Sequence, residues 1–226
     1  MAFQPIVDMR QRTVVAHEAL VRGTDGSGAL SVLERVTPEN RYAFDQSCRV
    51  KAVELASRLG MQGLLNINFL PNAVYQPETC IRATLMAAER HGFPIERIAF
   101  EVAEQENVGD KAHLKNILQS YHRQGFHTAI DDFGAGYAGL SLLADFQPDT
   151  IKIDMGLVRG VDGDPVRQVI VQSILGLCDS LGIQALAEGV ETVAEMEWLM
   201  ARGTYLFQGY LFAKPEIEAL PAVRWP

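Results

Sequence analysis

Eight short apolar runs punctuate the chain, and they alternate with longer segments of helical periodicity. The runs are Phe3–Asp8, Val14–Val21, Gly63–Phe69, Arg97–Val102, Phe126–Asp131, Thr150–Asp154, Ile183–Glu188 and Thr204–Gln208. Helical patterns are read over 40–59, 73–90, 111–124, 138–146, 164–181 and 192–201, the fifth stopping at Gly182. Strands alternating with helices predict an α/β chain with a parallel sheet, and eight of them predict a (β/α)8 barrel. One connection breaks the pattern. Only a few residues, around Arg10, Gln11 and Arg12, separate the first two strands. A parallel pair needs a crossover of about a dozen residues or more. The first strand is therefore expected to run antiparallel to the second, a distortion of the regular barrel.

The last polar residues of the strands carry the chemistry. They are Glu18, Asn68, Glu101, Asp131 with Asp132, Lys152, Glu188 and Gln208. In a barrel the C-terminal strand ends converge on the face that bears active sites. Any one of these residues alone reads equally well as a helix cap or a solvated strand end. Seven strand ends agreeing is harder to dismiss. Five carboxylates in one pocket disfavour one another's ionisation unless a cation joins them. An all-oxygen donor set suits Mg²⁺ or Mn²⁺ better than zinc, and the number of carboxylates suffices for two ions sharing an aspartate. Lys152 lies inside an apolar strand, where a lysine must be paired. After Asp131 and Asp132 the chain enters a turn containing Gly134, Gly136 and Gly139.

Composition narrows the classes. The chain has 226 residues, 48% hydrophobic and 21% charged, and a formal net charge of −8. Residues 1–226 read as one globular domain, with no linker or repeat. The acidic balance argues against binding a DNA or RNA polymer through a basic surface. It leaves room for a metal-dependent enzyme acting on phosphates, because the metal supplies the positive charge. Cys48, Cys80 and Cys178 are too far apart for a zinc motif and odd in number, which fits idle thiols in a reducing compartment. No apolar run reaches the ~18 residues of a membrane span, and the N-terminus reads as a strand and not as a signal peptide. His17, His91, His122 and His127 lack ligand spacing. Met155, Met196 and Met200 read as core filler, and Trp198 as helix packing.

The motifs resemble those of the EAL domain of bacterial cyclic di-GMP phosphodiesterases. They are Gln4-Pro5-Ile6-Val7, Glu18-Ala19-Leu20-Val21-Arg22, Asn68 before Pro71, Glu101-Val102-Ala103-Glu104, Asp131-Asp132-Phe133-Gly134-Ala135-Gly136, Lys152-Ile153-Asp154, Glu188-Gly189-Val190-Glu191 and Gln208-Gly209-Tyr210-Leu211. They run in order along nearly the whole chain. The resemblance implies a modified TIM-type barrel with an antiparallel first strand. It implies two divalent cations, Mg²⁺ or Mn²⁺, with Glu18, Asn68, Glu101 and Asp131 on one and Asp131, Asp132 and Glu188 on the other. Lys152 resembles the lysine that holds and helps deprotonate the attacking water, and Gln208 a residue that orients metal-bound water. Gln4 and Arg22 resemble substrate contacts, with Asp45 as a reader of guanine. Glu104 and Glu191 look like supporting acids, Glu191 steadying the loop after Asp132. The implied reaction is hydrolysis of cyclic di-GMP to pGpG by a bridging hydroxide, in a cytoplasmic bacterial homodimer with its contact near that loop.

This chain departs from the family at three residues. Leu70 replaces a serine, and Ala103 and Ala135 replace threonines. Asn66 lies on the same strand face as Asn68 and competes with it for the ligand position. The family's leading helix and any sensory domain are not represented. The alternative reading is a silent receptor that binds cyclic di-GMP, and a fold-level alternative is another metal-dependent barrel enzyme.

Overall fold

The structure is a computed structural model and describes residues 1–104, 111–136 and 139–226. Tyr137 and Ala138, within the glycine-rich turn singled out above, lie outside the described residues, as do 105–110.

Strands β1 (Ala2–Asp8), β2 (Thr13–Leu20), β3 (Leu64–Asn68), β4 (Ile98–Ala103), β5 (His127–Phe133), β6 (Thr150–Ile153), β7 (Gln184–Ala187) and β8 (Leu206–Phe207) follow one another around a closed barrel. Pairing is parallel from β2 through β8, while β1 lies antiparallel between β8 and β2. The turn that forces this is built on Asp8. Its carboxylate accepts the backbone N–H groups of Arg10 and Gln11, and Arg12 takes a left-handed φ of 52°. A two-residue strand, β9 (Glu216–Ile217), pairs with β1 at Ala2 and Phe3, the opposite end from the Val7 and Asp8 that β8 pairs, in a tail whose sequence carries no strand signal.

The helices between strands are α1 (Ala29–Leu33), α2 (Arg41–Arg58), α3 (Pro77–Cys80), α4 (Arg82–His91), α5 (Lys111–Arg123), α6 (Gly139–Asp145), α7 (Met155–Val158), α8 (Pro165–Leu181) and α9 (Val193–Met200). The helix expected over 73–90 is in fact a 3-10 turn (Pro71–Ala73) followed by α3 and α4. Pro77 has no N–H to donate and holds Gln76 extended, at φ −144° and ψ 105°, so the helix cannot run through it. Helix α8 starts where Asp164 caps the N–H groups of Val166 and Arg167, and it stops at Gly182, whose φ is 68°.

Apolar side chains fill the space between barrel and helices. Arg49 of α2 is fully buried there, between the rings of Phe69, Phe100 and Tyr121. It donates to the Tyr121 hydroxyl and forms an ion pair of 2.7 Å with Asp45. Inside the barrel, Ile6, Ala16 and Leu186 close the floor with Leu64 and Leu206. Strand alternation then brings Glu18, Asn66, Glu188 and Gln208, two residues further along their chain segments, and Gln4, two residues earlier on the antiparallel β1, to the same interior face one layer higher.

Candidate active site

Lys152 stands at the centre of that upper layer with no solvent exposure. Its Nζ lies 2.9 Å from carboxylate oxygens of Glu101, Asp131 and Glu188, and 3.4 Å from Glu18. Four strand ends, on β2, β4, β5 and β7, thus converge on the ammonium of a fifth, β6. Burial alone would lower the lysine pKa. The surrounding Asp131, Glu101, Glu18 and Glu188 hold it well above its ordinary value, so the side chain is charged at neutral pH.

The carboxylates bear the opposite cost. Burial pushes Glu101 up to about 8, against the pull of Lys152. Burial also raises Glu188 well above the ordinary range, and raises Asp132, beside Asp131, to about 6. Asp132 has a left-handed φ of 54°, which turns it away from the strand path of Asp131. Its backbone N–H donates back to the Asp131 carboxylate. One lysine cannot neutralise five acids.

These residues fit divalent cations on three counts. Two groups of acids bring ligand oxygens within 4.8 Å of one another, Glu18 with Glu101 and Asp131, and Asp131 with Asp132 and Glu188. Asp131 belongs to both. The donor atoms are all oxygens, the preference of Mg²⁺ and Mn²⁺. Finally, the amide oxygens of Asn66 and Gln208 are buried without a hydrogen-bond partner among the described residues, an uncompensated cost in a protein interior.

The remaining sequence candidates divide. Asn68 donates to Glu18, 2.7 Å away, and its partner in the β3–β4 register is Glu101, so it stands at the mouth of the first acid group. Asn66, one pleat lower, donates to Glu101 at 2.6 Å. Gln208 donates to Glu18 at 2.7 Å and to Gln4 at 3.2 Å, and Gln4 in turn donates to the Ala213 carbonyl. Gln4, Gln208 and Asp132 line a cavity of about 260 Å³ over the acids. Arg22 lies past the end of β2, with its guanidinium on the Val21 carbonyl. Asp45 lines a separate apolar cavity with Leu20 and Asn68, and both its oxygens are engaged, one by the Leu70 N–H and the other by Arg49 and Gln46.

Two expectations change. Among the described residues, the loop after Asp132 is held by Glu104, not Glu191. The Glu104 carboxylate accepts the backbone N–H groups of Gly134, Gly136 and Gly139 at 2.7, 3.1 and 2.7 Å. Glu191 turns outward to Arg159, at 2.6 Å. The two acids occupy equivalent places in their motifs, but Glu104 leaves β4 directly beside the end of β5, its N–H donating to the Asp131 carbonyl. Met155 is not core filler. It is 45% exposed and lines the active-site cavity with Tyr210. Only the strand-end position of its neighbour Asp154 could have signalled this.

A family model for the EAL domain matches residues 1–215. The chain belongs to the EAL family. It is 36% identical over 227 residues to the "blue light- and temperature-regulated antirepressor BluF" of Escherichia coli, covering 100% of this chain and 56% of BluF. It is 31% identical over 223 residues to the "probable cyclic di-GMP phosphodiesterase PdeG" of the same organism, covering 94% of this chain and 44% of PdeG. The EAL chain thus spans about half the length of these curated relatives. Among solved structures it is similar to a standalone versatile EAL protein from Vibrio cholerae in its c-di-GMP-bound form. That match has a TM-score of 0.96 and 57% identity, covering 99% of this chain and 94% of the other. It is also similar to Klebsiella pneumoniae BlrP1 in a manganese/cyclic di-GMP complex, with a TM-score of 0.90 and 37% identity, covering 97% of this chain and 56% of that one.

Proposed function

We propose that this EAL chain hydrolyses cyclic di-GMP to linear pGpG with two divalent cations, Mg²⁺ or Mn²⁺. One observation carries the reading: Asp131 is shared by two groups of acids, and the buried Lys152 ammonium lies against it. Glu18, Asn68, Glu101 and Asp131 would hold one cation, and Asp131, Asp132 and Glu188 the other. When bound, such ions polarise phosphoryl oxygens and make water acidic enough to attack at neutral pH. The protein does the positioning. Lys152, kept charged by its carboxylates, is an N–H donor that orients the attacking water and favours its deprotonated form. The Gln208 amide, fixed by Glu18 and Gln4, presents its unpaired oxygen as a second orienting group. Gln4, which lines the cavity over the acids, and Arg22, which follows β2, would contact the substrate phosphates.

The reading includes a homodimer in the bacterial cytoplasm. Leu140 on α6 and Val166 and Val169 on α8 are exposed apolar positions available to such a contact. No helix among the described residues is long and apolar enough to cross a membrane. A receptor that binds cyclic di-GMP without cleaving it is the second reading, favoured by the antirepressor name of BluF. Incubating the protein with cyclic di-GMP and Mg²⁺ or Mn²⁺, with a chelator control, separates the two. Metal-dependent appearance of pGpG on a chromatogram supports hydrolysis. Intact nucleotide retained on the protein supports the receptor.

A further inference from the structure

Asn66 is a buried polar residue that none of the roles above employs. It lies in the middle of β3, two residues before Asn68, and is 5% exposed. Its partner in the β3–β4 register is Ala99, which carries too little side chain to block the amide. The amide therefore reaches the next interior residue of β4 and donates to Glu101 Oε1 at 2.6 Å. Glu101 is wholly buried, and its other oxygen, Oε2, accepts from Lys152 at 2.9 Å. Each carboxylate oxygen thus has its own donor. With Asn66 in place, Glu101 has one oxygen tied down by a neutral group and the other turned to Lys152. Without it, the one side-chain donor left among the described residues would be the lysine that Glu18, Asp131 and Glu188 also share.

The other half of the Asn66 amide argues against a purely structural role. Its oxygen is buried and has no partner among the described residues. A half-satisfied amide is a poor choice for stability where an aliphatic side chain would pack. We infer that Asn66 is a positioning residue: it fixes the plane of the Glu101 carboxylate so that Glu101 joins Glu18 and Asp131 in a geometry ready for a divalent cation. The inference rests on the proposed role of Glu101 as a ligand. Groups that orient a ligand typically govern metal affinity about ten- to a hundredfold.

The test is titration of the metal-free full chain with Mn²⁺ by calorimetry, without nucleotide, for the parent, Asn66→Leu and Asn66→Thr. Leucine fills the space without a donor. Threonine keeps a donor that stops short of Glu101. Both variants are expected to fold, by circular dichroism and thermal melting. Both are expected to bind Mn²⁺ about ten- to a hundredfold more weakly. At saturating Mn²⁺, kcat should recover toward the parent value while KM for the nucleotide stays unchanged. A parent that binds no Mn²⁺ would overturn the metal reading itself. A parent that binds, beside a folded variant of undiminished affinity, would overturn the role of Asn66 alone. Loss of folding in both variants would also overturn it, because the amide would then be needed by the barrel and not by the site.

Discussion

At the scale of single residues, Lys152 and Gly189 make opposite demands on the barrel top. Lys152 is a cation fixed among acids. Substituting alanine leaves Glu18, Glu101, Asp131 and Glu188 without their common counter-charge, and breaking a buried pair in this way costs about 3–5 kcal/mol. Lys152→Ala should therefore lower metal-free stability by that order in urea denaturation, and added Mn²⁺ should restore part of it. An unchanged midpoint would contradict the view that the ammonium balances the acids. Gly189 follows Glu188 and has a φ of 64°; a Cβ there would sit 2.4 Å from the Cβ of Met155. Gly189→Ala must shift either Met155 or the backbone carrying Glu188, and is expected to weaken Mn²⁺ binding in calorimetry. Lys152 was legible in the sequence, because a lysine inside the apolar run Ile151-Lys152-Ile153 must meet anions where the strand is buried. The placement of Asn66 was not, since two asparagines on one strand face differ only in depth, which spacing does not encode. Arg49 was hidden for a similar reason: within a helix a buried arginine and a solvated one share the same pattern until the Phe69, Phe100 and Tyr121 rings close around it.

At the scale of elements, the strand exits decide what the site can do. Each parallel strand delivers its last interior side chain upward, and the loop after β5 is pinned by one carboxylate. Glu104→Ala removes the acceptor from three backbone N–H groups at once. Hydrogen bonds to a charged acceptor contribute about 1.5–3 kcal/mol each, so the amides of Gly134, Gly136 and Gly139 should exchange with solvent at least about tenfold faster. Exchange rates equal to those of the parent would show that the loop is held by something else. Gly139→Ala should act on the same clamp, since a Cβ there meets Phe133 at 2.6 Å and the Glu104 carboxylate at 2.8 Å. The sequence located the strands within a few residues because their apolar runs are short and bounded. It over-extended the helix around Pro77, and it assigned the clamp to Glu191. The first passes over Pro77, a local break that the sequence does carry; the second concerns direction in space, since a motif fixes how far an acid lies from a strand end, not which neighbouring strand it turns toward.

For the whole molecule, the barrel concentrates more negative charge than its lysine can balance, and this couples stability to pH and metal. In the metal-free protein Glu101 is raised to about 8 and Asp132 to about 6, from ordinary values of 4.5 and 3.8. The folded state therefore holds these protons more tightly than the unfolded chain. Stability is greatest below the unfolded values and is lost as pH rises through about 6 and then about 8. Lys152 stays charged throughout this window and does not reverse the trend. Melting temperature without metal should fall between about pH 5.5 and about pH 8, and the increment from Mn²⁺ should grow over the same interval, because the ion competes with those protons. An increment larger at the acidic end would contradict it. The alternation of strands and helices, the antiparallel first strand and the convergence of strand-end acids all follow from local pattern, which is why the architecture was readable. The number of acids already suggested a shared aspartate and the resemblance named Asp131; the left-handed turn at Asp132 beside it is what needed the fold.

These acids, gathered around Lys152, would form a metal-dependent hydrolytic site. That role is tested most directly by following Mn²⁺-dependent conversion of cyclic di-GMP to pGpG by chromatography, in the parent, Lys152→Ala and Glu18→Ala, with nucleotide binding measured in parallel. The expected result is turnover by the parent and a loss of about a hundredfold or more in each variant, as when an electrostatic or metal-holding group is removed. A parent that binds the nucleotide tightly and leaves it intact would contradict it.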